Sequence, residues 1–333
     1  MIARPAPTRR QLAPLDPAER RHHKLRNILQ SVVLLGGMVL LLALCGWLIF
    51  GPEGMIGLGL GAALGLWFSP QISPQMVLRL YSAQRIAPAQ LPEVHQVVER
   101  LAERAGLERP PALYYVPSAM LNAFAVGQRD NAAIAVTDGL LRTLTLRELA
   151  GVLAHEISHI RNNDLWLMGL ADMVGRLTQV MTSFGLVLVI FGLPLWLTGA
   201  AGLPLLLLIP LLVFAPQLAL LLQLALSRAR EFDADLDAAG LTRDPEGLAS
   251  ALIKLERFHQ GFWERVLLPG RGQPEPSMLR THPPTEERVA RLRQLSAAPE
   301  ARVPSWADRA GPVEFGRPPV LATPRGRLFG YWY

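Results

Sequence analysis

The sequence predicts a mainly α integral membrane protein, with about four transmembrane helices and a helical soluble part that carries a small β-sheet. Three observations lead there. Half of the 333 residues are hydrophobic and only 18% are charged, a balance too apolar for an average soluble domain. The apolar excess is gathered into uncharged runs of bilayer-crossing length. Between and after those runs lie segments with helical spacing and short runs of β-forming residues.

Residues 1–26 form a leader containing Arg4, Arg9, Arg10, Arg20, Arg21, Lys24 and Arg26. Asn27 to Phe50 is uncharged, and so is Gly54 to Leu78, although the latter is strongly apolar only to about Phe68. Residues 27–70 are therefore expected to make two spans around Gly51-Pro52-Glu53-Gly54. A cleaved secretory signal is the alternative for the first run. Its apolar region exceeds a typical signal core and no small-x-small site closes it, so a retained anchor is expected. Residues 177–227 are uncharged throughout, enough for two crossings joined by a turn near Thr198-Gly199-Ala200-Ala201-Gly202.

The leader is basic, whereas Gly51 to Gly54 and the turn after Trp196 contain no Lys or Arg. Both termini and the soluble segments are then expected on the cytoplasmic side of the membrane. The net charge of +6 suits that orientation and anionic headgroups. With no nucleic-acid motif and no basic stripe interleaved with aromatics, a nucleic-acid partner is not expected. Cys45, the single cysteine, excludes an intrachain disulfide and a thiolate metal cluster. No signal for an oligomeric state is found.

In the soluble segment 71–176, Leu91 to Ala105 has Val94, Val97, Val98 and Leu101 at helical spacing and closes at Gly106. Pro110 and Pro111 break the chain. Ala112 to Val116, Leu121 to Val126 and Ala132 to Val136 read as strands. The next helix is expected from Thr145, where Thr145-Leu146-Arg147-Glu148 has the form of a capping box, to about Asn163, with Leu149, Val152 and Leu153 buried. Asp172 and Arg176, one turn apart, are expected to neutralise each other near the membrane boundary. Residues 228–296 are a charged and then amphipathic helical part, and 297–333 a Pro/Arg-rich flexible tail.

His155-Glu156-Ile157-Ser158-His159 lies within the Thr145 helix. Histidines four apart project from one helix face and reach one metal ion, with a carboxylate beside the first, as in zinc hydrolases. The alternative is a pair of partly buried helix residues bonded to carbonyls. A catalytic zinc takes three protein ligands and keeps a position for water, so a third must be His, Glu or Asp. Glu231, in Ser227-Arg228-Ala229-Arg230-Glu231-Phe232-Asp233-Ala234-Asp235, is the best candidate, because an antiparallel pair of spans returns it to the membrane face where the motif lies. Glu156 then serves as general base. Asp235, one turn beyond Glu231, is placed to accept the free ring N–H of a ligand histidine. The alternative for both acids is a solvated helix face.

The strand Leu121 to Gly127, the HEISH helix, the segment Ser227 to Asp235 and the stretch Thr281-His282-Pro283-Pro284-Thr285-Glu286-Glu287-Arg288 resemble, in order, the signatures of the M48 family of membrane zinc peptidases, in particular its HtpX-like bacterial branch. The resemblance covers roughly Gln71 to Leu295. It implies a zincin-like catalytic domain with one Zn2+ per subunit, held by His155, His159 and Glu231, with Glu156 as base and Asp235 orienting a histidine. It further implies that His282 stabilises the oxyanion, that Arg288 supports the site, and that substrate is laid along Asn122, Ala123 and Phe124. An edge strand can hold an extended peptide through its backbone; the alternative is an ordinary strand with Phe124 in the core.

The expected protein is a zinc metalloendopeptidase embedded in a lipid bilayer; the resemblance implies that its substrates are misfolded or damaged membrane proteins, or unfolded polypeptides. A prenyl-protein peptidase of the CaaX type shares the motifs but has more spans. A non-catalytic membrane adaptor has no need of Glu156. The leader, Met1 to Arg26, is longer and more Pro/Arg-rich than the resemblance requires, and the tail beyond Leu295 has no counterpart in it.

Overall fold

The computed structural model describes residues 17–68, 74–197, 204–266 and 284–296, together with residues 327–328 and 331–332. The chain divides into two compact units. One contains Lys24–Ser73 and Asn163–Glu231; the other contains Met1–His23, Pro74–Asn162 and Phe232–Tyr333.

The first unit is helical. Helix α1 (Pro17–Phe68) is broken at Gly51, whose φ of 71° and ψ of −161° are not helical and suit a residue without Cβ. The expected turn at Gly51 is therefore a kink between two helical runs. Helix α6 (Asp164–Leu197) runs unbroken through residue 176, and α7 (Pro204–Thr242) through residue 227. The units divide at residues 162/163 and 231/232. Residues 198–203, where the inter-span turn was expected, lie outside the described residues.

Among the described residues, Ile28–Gly57, Asp164–Phe191 and Ile209–Thr242 are long and apolar enough to cross a membrane. Met38 and Leu42 of α1 pack with Ala171 and Val174 of α6 and Leu226 of α7, while Val32, Leu40, Phe191 and Phe214 face outward. An apolar outer surface of this kind has lipid as its natural solvent. Asp172 and Arg176 form the expected one-turn pair at 2.7 Å.

The second unit holds a four-stranded sheet in the order β1 (Gln84–Arg85), β2 (Ala112–Val116), β4 (Ala133–Thr137), β3 (Ala123–Val126). Strands β2 and β4 are parallel, and the other pairs are antiparallel. Strand β3 therefore lies at a sheet edge. Helix α2 (Pro74–Leu80) buries Leu78 against Phe124 and Val116. Helix α3 (Pro92–Ala105) buries Val94, Val97, Val98 and Leu101 as its spacing requires, and ends at Gly106 in the left-handed conformation, whose N–H caps the last turn.

Helix α4 (Asp138–Thr143) follows β4 and is capped by the Thr137 side chain. Helix α5 (Leu146–Asn162) packs against α3, β3 and α8 (Pro245–Val266), with Leu149, Leu153, Ile157 and Ile160 almost fully buried. At Gly151 a Cβ would lie 2.9 Å from the Leu248 Cα, so glycine is what lets α5 and α8 approach this closely. Helix α9 (Thr285–Ser296) packs on α8, and Arg327–Leu328 (β5) pairs with Tyr331–Trp332 (β6).

Candidate metal centre

Helix α5 begins with the reciprocal cap read from the sequence. The Glu148 N–H donates to Thr145 Oγ1 at 3.3 Å, and the Thr145 N–H donates to Glu148 Oε2 at 2.8 Å. Glu148 is buried and also accepts from Ser250 at 2.6 Å and Lys254 at 2.7 Å. Arg147 forks onto Asp244 at 2.5 and 2.7 Å, and Asp244 accepts from the Gly247 N–H in the first turn of α8. The start of α5 is thus anchored to α8, and three turns on it carries His155, Glu156 and His159.

His155 and His159 face each other with ring planes at 90° and Nε2 atoms 3.1 Å apart. Together with Glu231 they offer one ligand atom each, all within 4.8 Å of one another. Two nitrogens about 2.0–2.1 Å from a tetrahedral ion stand about 3.3 Å apart. The donor set therefore fits one divalent metal ion. His155 and Glu231 are both 6% exposed.

The other ring nitrogen of His155 is spoken for. Its Nδ1 lies 3.0 Å from Asp235 Oδ1, and Asp235 accepts two bonds from Arg288, Nε and Nη2 each at 2.7 Å. Asp235 and Arg288 are buried, so a planar fork meets a planar carboxylate out of water. A proton on Nδ1 shared with Asp235 would leave the Nε2 lone pair for a metal. Arg161 and Asn162 both bond Asp237, and Arg230, next in sequence to Glu231, pairs with buried Asp164.

Glu156 turns to the sheet, where its Oε2 accepts the Ala125 N–H at 2.9 Å. On β3 the three residues of the sequence reading separate. The Asn122 N–H donates to Thr137 Oγ1 at 3.0 Å, and the Asn122 carbonyl accepts from the Thr137 N–H at 3.0 Å. The backbone of Asn122 therefore faces β4. By the alternation of an antiparallel pair, the N–H and C=O groups of Ala123 and Ala125 face the open edge. Phe124 is 7% exposed and packs on Tyr81 with ring centroids 5.0 Å apart. His282 lies outside the described residues. Ala125 and Thr137 are the residues that sequence reasoning missed here.

The model of peptidase family M48 matches residues 88–296, more than half of the chain. The chain belongs to peptidase family M48. It is similar to proteins named "Protease HtpX homolog" from Ralstonia nicotianae (36% identical, covering 81% of this chain and 97% of the relative), Persephonella marina (38%; 81% and 98%) and Acaryochloris marina (39%; 81% and 94%). A crystal structure of Ste24p from S. mikatae is also similar, with a TM-score of 0.40 and 20% identity over 82% of this chain and 66% of that one. Membership in M48 and the apolar helices make the protein a membrane metalloprotease. The metal-capable group and Glu156 lie inside the matched segment.

Proposed function

We propose that the protein is a zinc-dependent endopeptidase of the bacterial inner membrane, with its active site and both termini in the cytoplasm, which cleaves misfolded or damaged membrane proteins. The observation that carries the reading is the convergence of one ligand atom each from His155, His159 and Glu231 within 4.8 Å of one another, with Glu156 next in sequence to His155. In this reading His155, His159 and Glu231 hold one Zn2+ per subunit. Bound there, zinc would supply Lewis acidity toward the scissile carbonyl and make the attacking water acidic near neutral pH.

The protein's own groups do the rest. Glu156 takes a proton from the attacking water and returns it to the leaving amine. Asp235 holds the Nδ1 proton of His155, and Arg288 holds Asp235. The family resemblance gives His282 the role of donor to the charge that develops on the carbonyl oxygen. The open edge of β3 around Asn122, Ala123 and Phe124 receives an extended substrate chain by strand addition, Ala123 through its outward backbone groups.

The substrate class rests on place. Glu231 lies four residues beyond the uncharged run that ends at Ser227, about 6 Å along a helix, so emerging loops of other membrane proteins are within reach. The domains follow: a leader at 1–26, two spans at 27–70, catalytic parts at 71–176 and 228–296 around a hairpin at 177–227, and a tail at 297–333.

Glu156→Gln is expected to keep its zinc by elemental analysis while losing proteolysis by about 10²–10⁴-fold; cleavage at the wild-type rate would refute the mechanism. Membrane proteins trapped by this variant and identified by mass spectrometry would name the clients.

A further inference from the structure

Strand β3 is an edge strand whose outward backbone groups belong to Ala123 and Ala125. One of those groups is already engaged: the Ala125 N–H donates to Glu156 Oε2 at 2.9 Å. An incoming strand that continues the ladder must place a carbonyl on that same N–H. The N–H is one donor, and a carboxylate and a peptide carbonyl cannot both occupy its axis. Glu156 is held at the edge through its Oε2, while its carboxylate is needed at the attacking water.

We propose that Ala125 couples substrate length to turnover. A peptide long enough to present a carbonyl to the Ala125 N–H displaces Glu156 from the strand and frees its carboxylate to move the proton; a shorter peptide binds but leaves Glu156 tied. The exchange swaps one hydrogen bond for another and neither makes nor breaks a covalent bond. It rests on the reading of β3 as the substrate edge and Glu156 as the base. The substrate class it names is extended, unfolded chain that spans the scissile bond and reaches Ala125, in preference to short peptides and to folded segments whose carbonyls are already paired. Ala125 is a positioning residue and acts through its backbone.

The test uses the full chain in liposomes and a nested series of quenched-fluorescence peptides that share one scissile bond and grow by one residue at a time in each direction. One extension is expected to raise kcat by about tenfold or more, the scale of releasing a hydrogen bond to a charged group, with a smaller change in KM. Ala125→Pro removes the N–H at an outward position of an edge strand, where proline is tolerated. It should keep full zinc occupancy by elemental analysis and cleave short and long peptides with the same kcat. A step confined to KM, no step at all, or a kcat step that persists in Ala125→Pro overturns the coupling. Should Ala125→Pro fail to fold, the wild-type series decides alone. If the wild-type protein cuts no peptide, or Glu156→Gln cuts as fast, the peptidase reading fails instead.

Discussion

At the scale of single residues, the site depends on an ion pair that touches no reacting atom. Asp235 is 4% exposed and accepts two bonds from Arg288 and one from His155, most of the lone-pair positions a carboxylate has. Removing Arg288 leaves a buried anion facing the imidazole. Arg288→Ala is expected to cost about 3–5 kcal/mol of stability and to weaken zinc binding by about 10–100-fold. Arg288→Lys keeps the charge but not the fork and should restore little of the affinity. Thermal melting and chelator competition measure the two losses, and unchanged affinity in Arg288→Ala would remove Arg288 from the support of the metal site. Glu231→Ala should lose bound zinc; full occupancy there would exclude Glu231 as a ligand. One-turn spacing put His155 with His159, and Glu231 with Asp235, on single helix faces in the sequence, and the return of the chain after an antiparallel pair of spans pointed to Glu231; ligand atoms of His155, His159 and Glu231 do lie within 4.8 Å of one another. The Ala125–Glu156 bond was not, since a backbone donor has no residue-type signature and its partner lies 31 positions away. Nor was the engagement of Asn122 by Thr137, which depends on strand register.

At the scale of elements, the start of α5 carries a pH dependence. Burial pushes the Glu148 carboxyl up, but bonds from Lys254, Ser250 and Thr145 outweigh it and hold the group below the usual carboxylate range. The unfolded chain, with an ordinary value of about 4.3, takes up a proton first as pH falls. Glu148 therefore contributes its full stability above about pH 4.3, and that contribution is lost as pH falls through the lower folded value. Glu148→Gln should flatten this part of the acid limb in melting scans from about pH 6 to 3. An acid limb identical to the wild-type one would show that Glu148 does not titrate as described. Glu148→Ala also leaves Lys254 and Ser250 without their acceptor and should cost about 1–3 kcal/mol. The capping box was visible as four residues of sequence, and β2 appears with the limits its residue types predicted. Strand β1, two residues long, is too short to show any periodicity. The uncharged run hid where α6 begins, because Asp164 and Arg176 read as soluble while the helix that carries them continues into the apolar stretch.

At the scale of the whole molecule, the count of crossings decides which side the leader occupies. Helices α6 and α7, if both cross, leave and return to the same face, so residues 74–162 and the chain after α7 share a side whatever α1 does. The leader shares that side only if the helical run after the Gly51 kink, 52–68, crosses back. A single crossing by Ile28–Gly57 would put the basic leader opposite the HEISH helix, against the preference of Lys and Arg for the cytoplasm. Four crossings satisfy both, with Glu53 at the outer turn. In a Cys45→Ser background, Glu53→Cys should react with a membrane-impermeant maleimide in intact spheroplasts. Glu108→Cys, on the exposed turn between α3 and β2, should react only in inverted vesicles. Labelling of Glu108→Cys from outside would reverse the orientation and separate the protease from cytoplasmic substrates; protection of Glu53→Cys in spheroplasts with reaction in inverted vesicles would mean that residues 52–68 do not return across the membrane in the way the basic leader requires.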